Sequence, residues 1–450
     1  MKRLIPAAAW LLMLAAAPLA WAAAPAAEPA PVPQTAPVPA PPVKLLTLDE
    51  VRALVLTKNR DIHKALEYRH YVQGKYVEER AAALPRLKLN AGTYRQRDES
   101  QLALTQGLMP IQTDTLNSVV TLDQALYTWG QVGAAIRAAE VGILTAADQL
   151  RLMRQAALRD ATQAFYDVLL AKELFAIAQQ NLTQHQRHLL EAERKFEAGT
   201  ATDYDVLAAR VGVANARPDV IRTDNLIRTA RERLGLLLAT DGRTIDAQGA
   251  LGVTLEPAPA RDPLLAGALE QRPEMQDLKH RRLMAGELVA VYNAGDKPRL
   301  DLQAQYGWRE LTAGDDREDG EVAMAGVFVT WPFFDGLRTR GQVSQARSEE
   351  RRLGIEEAQL KDRIGLEVTE AVNAVAESSE IVRALSGTVD QARRLLEMAE
   401  QGYLYGVKTR LEVDDAQLNL RQALGNLARA RRDYLVARVN LAWVAGGLGE

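Results

Sequence analysis

Apolar residues recur at alternating spacings of three and four over a long stretch of the chain. The seam reads Ala161, Ala164, Val168, Ala171, Phe175, Ala178, Leu182, His185, Leu189, Ala192 and Phe196. This period belongs to a helix whose apolar stripe packs along a second helix in coiled-coil fashion. Moved by 207 positions (403 minus 196), the seam recurs as Val368, Ala371, Val375, Ser378, Val382, Leu385, Val389, Ala392, Leu396, Ala399 and Tyr403. The pattern predicts two helices, Gln131–Phe196 and Arg338–Tyr403, each roughly 100 Å long at about 1.5 Å per residue. Gly199 and Gly406 break them. Return helices follow, with heptads running from Val206 to Leu237 and from Val413 to Val444. Helix, glycine turn and helix, apolar along both seams, predict two antiparallel hairpins at 130–238 and 337–445. Pro218, off the seam, predicts a kink in the first return helix, and Gly425 stands at the same level of the second.

Upstream of each hairpin the period changes from helical to two. Leu87, Leu89, Ala91 and Thr93 alternate with Lys88, Asn90, Gly92 and Tyr94; Leu116 to Asp123 alternate likewise. In the second half Leu300, Leu302, Ala304, Tyr306 and Trp308 alternate with Asp301, Gln303, Gln305, Gly307 and Arg309. These predict strands at about 86–97, 115–125, 299–310 and 321–331, joined by surface loops at Gln96–Thr115 and Thr312–Gly320. Short helices precede them at Thr47–Lys58, with a Thr47/Glu50 capping box, at Asp61–Leu84, and at Leu264–Glu270. The chain therefore divides into a first repeat at 44–240, a connection at 241–263 and a second repeat at 264–450.

The amino end adds a leader. Met1-Lys2-Arg3, the apolar run Leu4–Leu19 and small residues around Ala22–Ala24 read as a secretory signal peptide over 1–24. An Ala/Pro-rich tether, 25–43, cannot pack a core. Composition then excludes several classes. With no cysteine, disulfides, thiolate-held zinc and thiol catalysis are out. A net charge of −3 without a basic stripe gives no case for nucleic acid. No nucleophile–base set, phosphate loop or carboxylate pair emerges, so neither an enzyme nor a cofactor is expected. His185 and His188, three apart, lack a third ligand for a metal, and His185 falls on the apolar seam. The acidic run at 312–320 lacks the spacing of a calcium loop.

Strands with one apolar and one polar face suit lipid outside and water inside. A spanning sheet must close, and four strands are too few to close around water. Either several copies share one barrel, or the sheet is a small soluble one packed on the helices. A layer to cover Leu300–Trp308 is not evident.

The tandem repeat, the strand pair leading into Pro332-Phe333-Phe334-Asp335-Gly336, and the turns Phe196-Glu197-Ala198-Gly199 and Tyr403-Leu404-Tyr405-Gly406 resemble the TolC-like outer membrane factor family over essentially all of the mature chain. The resemblance implies a mainly α fold with a membrane β part. It implies a homotrimer, whose twelve strands share one β-barrel in the outer-membrane lipid and whose helical hairpins continue it as an α-barrel through the periplasm. It implies a passive exit duct in a tripartite efflux pump. The tip turns, Gly199, Thr200, Ala201, Gly406 and Val407, would meet a periplasmic adaptor (membrane fusion) protein and, through it, an inner-membrane pump of RND, ABC or MFS type. By position, Tyr403 matches the family's gate tyrosine, Lys408 stands where a gate arginine usually does, Asp205 matches the carboxylate that arginine contacts, and Glu412 and Asp415 match acidic ring positions. A lysine cannot form the planar fork of an arginine. Two alternatives remain: the same duct serving type I protein secretion, and a periplasmic coiled-coil scaffold without a pore.

Overall fold

The computed structural model describes residues 43–99 and 112–448. The signal peptide, the tether up to residue 42 and residues 100–111 of the first strand-to-strand loop lie outside the described residues. In chain order the elements are β1 (Lys44–Leu46), α1 (Leu48–Lys58), α2 (Arg60–Ala81), β2 (Arg86–Arg97), β3 (Gln112–Tyr127), α3 (Gln131–Glu197) and α4 (Asp203–Leu237). A short 3₁₀ turn and β4 (Ile245–Ala247) lead to α5 (Arg261–Gln271), α6 (Pro273–Asn293), β5 (Arg299–Ala313), β6 (Asp316–Thr330), α7 (Arg338–Leu404) and α8 (Arg410–Val444).

The duplication holds to the residue. α3 and α7 are both 67 residues long, and α4 and α8 both 35, with starts displaced by the same 207 positions. The reason lies in the seam: Ala161, Val168, Val368 and Val375 are buried where the outgoing helix meets its return partner. Each fully buried valine contributes roughly 1.5–3 kcal/mol. Spread along the hairpin, such contacts hold helices too long to be sustained by propensity alone. α4 runs unbroken through Pro218, and Gly425 is buried at the same level of α8. The largest core lies toward the root of the first hairpin, where Val51, Val55, Phe165, Leu169, Leu234 and Ile245 meet.

The four-stranded sheet has the order β2-β3-β5-β6, antiparallel throughout. Leu87 pairs with Leu122, Leu122 with Ala304, and Ala304 with Ala325. One face therefore carries Leu87, Leu89, Val120, Leu122, Ala304, Tyr306, Val327 and Val329, and the other Lys88, Asn90, Thr121, Gln303 and Gln305. The apolar face is bare: Leu87, Leu89, Val327 and Val329 are all exposed. A sheet packed on the helices would bury them. The edges β2 and β6 have no strand partner among the described residues. No described helix is long and apolar enough to cross a membrane.

The structure redraws several boundaries. β5 and β6 run to Ala313 and from Asp316, so the acidic loop expected at 312–320 is a two-residue hairpin turn. Gly314, at φ 67°, occupies the first central position, where a II′ turn needs positive φ. Charged residues continue the ladder because the hairpin end has no apolar layer to satisfy. The parallel pair β1·β4 ties the start of the chain to the connection at 241–263. Three-residue strands are too short to show a period, which hid them from sequence reading. α2 stops at Ala81, three residues before the leucine expected to end it.

Candidate functional site

The hairpin ends form the candidate site. Both turns use one device. α3 ends with Thr200 N–H donating to Lys195 O (2.8 Å), and α7 with Val407 N–H donating to Gly402 O (2.8 Å). Gly199 (φ 70°) and Gly406 (φ 73°) supply the left-handed residue that this closure needs. Each return helix then opens on a capping box, Thr202 with Asp205 and Thr409 with Glu412. Asp205 and Glu412 are thus copies of one position.

This accounts for their chemistry. The Asp205 carboxylate accepts from Thr202 N–H (2.8 Å) and Thr202 Oγ1 (2.7 Å). The backbone donor is the larger cause that holds its pKa below the usual carboxylate range. Glu412 accepts from Lys408 Nζ (2.6 Å) and Thr409 N–H (2.8 Å). The Lys408 ammonium first, then the Thr409 amide, draw its pKa down to about 2. The ion pair of Lys408 is therefore with Glu412 in the first turn of the helix that follows it, and the partners of Asp205 are its own cap. Lys408 also folds back over Gly402, where an added Cβ would collide with its Cγ and lie 3.1 Å from its Cβ. Asp415 is exposed, while its neighbour Asp414 pairs with Arg410. Thr200, Gly406 and Val407 are exposed at the turns.

Tyr403 is joined to the other hairpin. Lys195 Nζ of α3 sits 5.2 Å from the centre of the Tyr403 ring and 2.8 Å from Glu191. Glu191 is the main reason the Lys195 pKa is raised. Further from the tip, the Gln417 amide lies 2.8 Å from His188 Nε2, and Gln184 Nε2 donates to Glu400 (3.4 Å). Gln184, His188, Glu191 and Lys195 share one face of α3. Sequence reading missed these links. Their signal was available: that face is polar in the first copy, while its copy on α7 reads Gln391, Leu395, Met398 and Gly402. His185 is no member of this set. It packs on α4, where a Cβ at Gly212 would lie 3.0 Å from its Nδ1. Burial lowers the pKa of both histidines.

The molecule is thus defined as an open sheet with a lipid-compatible face, continued by two matched helical hairpins that end in a polar tip. Residues 51–240 and 264–447 match the family described as outer membrane efflux protein. The chain belongs to that family and is a TolC-like outer membrane factor, an efflux channel of the outer membrane. It is 25% identical over 382 residues to the alkaline protease secretion protein AprF of Pseudomonas aeruginosa, covering 82% of this chain and 78% of that protein. It is 24% identical over 413 residues to the outer membrane protein TolC of Escherichia coli K12, covering 87% and 80%. Among solved structures, the Campylobacter jejuni CmeC outer membrane channel superposes with a TM-score of 0.78 at 16% identity, over 89% of this chain and 85% of that one. The Vibrio cholerae outer membrane protein VceC gives 0.76 at 18% identity, over 90% and 97%. These two likenesses concern the fold.

Proposed function

We propose that the protein works as a homotrimer, a passive exit duct that does no catalysis and closes at its hairpin tips. The observation that carries this reading is the bare apolar sheet face beside two strand edges that have no partner among the described residues. In a bilayer each unpaired edge costs several kcal/mol per backbone group, so the edges must be closed by other copies. Three copies would supply twelve strands, enough to enclose water. The gate would comprise Tyr403, Lys408, Asp205, Glu412 and Asp415, with the acidic side chains ringing the axis and drawing cations to it. The turns Gly199–Ala201 and Gly406–Val407 would meet a periplasmic adaptor, which brings an inner-membrane pump of RND, ABC or MFS type. The test is conductance of the purified protein in a planar bilayer, with chemical crosslinking to count subunits. A conducting trimer is expected; a soluble, non-conducting monomer refutes the reading.

The likeness to AprF, a secretion protein by its name, favours a second use of the same duct, protein export. Purifying the protein with its inner-membrane partner separates the two uses.

A further inference from the structure

The strand register sorts the charges on the polar face of the sheet. Nearest the helices, Arg299 Nε donates to Asp301 at 2.8 Å, and Asp123 stands directly across from Arg86. Each of these carboxylates has a cation beside it. The next cations along the face have no such counterpart. Lys88 shares its row with Thr121, Gln305 and Met324. Further along β5, Arg309 shares its row with Gly92, Asn117 and Gly320. Neither row holds a carboxylate, and both cations are exposed. Neither takes part in the ion pairs that the sheet forms among the described residues. Two of those pairs, Arg95 with Asp114 and Arg317 with Glu310, lie on the other face.

Arg309 also stands clear of its surroundings. Two of the three residues in its row are glycines, and a Cβ built at Gly320 would meet nothing within 4 Å. On the same face of its own strand the preceding residue is Gly307. A long side chain above a floor of glycine reaches further from the sheet than anything beside it. In the register its nearest carboxylate is Glu318, a diagonal neighbour on β6 at the turn end of the sheet, and no ion pair joins the two.

We propose that Arg309 and Lys88 form an anion-attracting lining in the outer-membrane segment of the duct, and that this segment passes small anions such as carboxylates and phosphates most readily. The assignment rests on the reading of the protein as a trimeric duct whose polar sheet face meets the water inside. Lysine and arginine held in the wall of a narrow passage raise the local concentration of anions. From Gln305 to Arg309 the two rows lie about 13 Å apart along β5. The Debye length is about 10 Å at 0.1 M salt, so the two rows act on a solute together. Closing the barrel does not cancel the charge. The edge that β6 would meet is β2 of the next copy, and β2 contains no aspartate or glutamate. The duct then carries opposite fields at its two ends, negative at the hairpin tips and positive in the barrel.

The test uses the full-length protein in planar bilayers at about 0.1 M KCl, with citrate added to each side in turn. Citrate is expected to block the wild type from one side, and the block to vanish at about 1 M salt, where the Debye length is about 3 Å. Lys88→Gln/Arg309→Gln should weaken the block several-fold and lower the chloride-to-potassium permeability ratio. Arg309→Lys, which keeps the charge, should stay near wild type. Heat-stable oligomer on gels shows that each variant assembles; should the double variant fail to, Arg309→Gln alone carries the comparison. Conducting channels whose citrate block and permeability ratio are unchanged by removal of the charges overturn the lining while leaving the duct standing. A wild-type protein that does not conduct removes both.

Discussion

Lys195→Gln should loosen the tip. The substitution keeps the aliphatic stem and the helix propensity but removes the ammonium that lies 5.2 Å from the Tyr403 ring. The Lys195 side chain is 43% exposed, so the contact falls at the weak end for a cation over an aromatic face, about 0.5–1 kcal/mol. In the proposed trimer, three such contacts opening together would contribute about 1.5–3 kcal/mol, which is roughly 10–150-fold in the closed-to-open ratio. The substitution also frees Glu191, whose ion pair with Lys195 is exposed and adds little. Single-channel recording in planar bilayers at neutral pH reads the ratio directly. Lys195→Gln should raise open probability by that order, and Lys195→Arg, which keeps a cation over the ring, should stay near wild type. Tyr403→Ala should exceed both, because the ring also packs against the cluster of Ala399, Val413 and Ala416. Wild-type open probability in both Lys195→Gln and Tyr403→Ala would refute the link as a gate element.

Other perturbations probe other parts. Tyr434 is 1% exposed, and its hydroxyl accepts from Glu256 N–H (3.0 Å) and donates to Thr254 O (3.2 Å), pinning the inter-repeat connection to α8. Tyr434→Phe should cost about 1–3 kcal/mol, read as a lower denaturant midpoint with an unchanged slope. At Gly307 a Cβ would collide with Ser118 O and stand 2.6 Å from Val119 Cα, so Gly307→Val should break the β3·β5 ladder and abolish heat-stable oligomer in the outer-membrane fraction. Burial lowers the His185 and His188 pKa values, so the unfolded chain binds the protons more tightly than the folded one. Their contribution is therefore complete above the unfolded pKa of about 6.5 and is lost as pH falls below it. Thermal melts from pH 7.5 to 5.5 should show a falling midpoint, and His188→Gln a shallower fall; parallel curves would contradict the assignment.

Much of the architecture was legible because it is periodic. A seam that keeps register over eleven positions, ten of them apolar, then does so again 207 residues later, leaves no other helix phase, and Gly199 and Gly406 mark the turns. Strand faces were legible for the same reason at Leu300–Trp308. What escaped was aperiodic or non-local. β1 and β4 are three residues each and exist only because distant segments meet. The ends of β5 and β6 were obscured by the charges at 315–319, which report exposure rather than backbone form. At the tip, sequence position placed Asp205 and Glu412 correctly at their helix starts. The engagement of both carboxylates by their own caps was available in the Thr202–Asp205 and Thr409–Glu412 spacing, the same that marked Thr47 and Glu50. That Lys195 is the residue beside Tyr403 was not, because it depends on which faces of α3 and α7 turn toward each other.

The equal lengths of α3 and α7, and of α4 and α8, restrict how the protein can change. The two glycine turns of a copy stand level only while both outgoing helices have the same number of residues. Adding seven residues to one would preserve its seam yet lift its turn by about 10 Å relative to the other, leaving a notched rim. Changes in reach must therefore enter both halves together, which makes the depth of the periplasm a quantity this gene can follow only in paired steps.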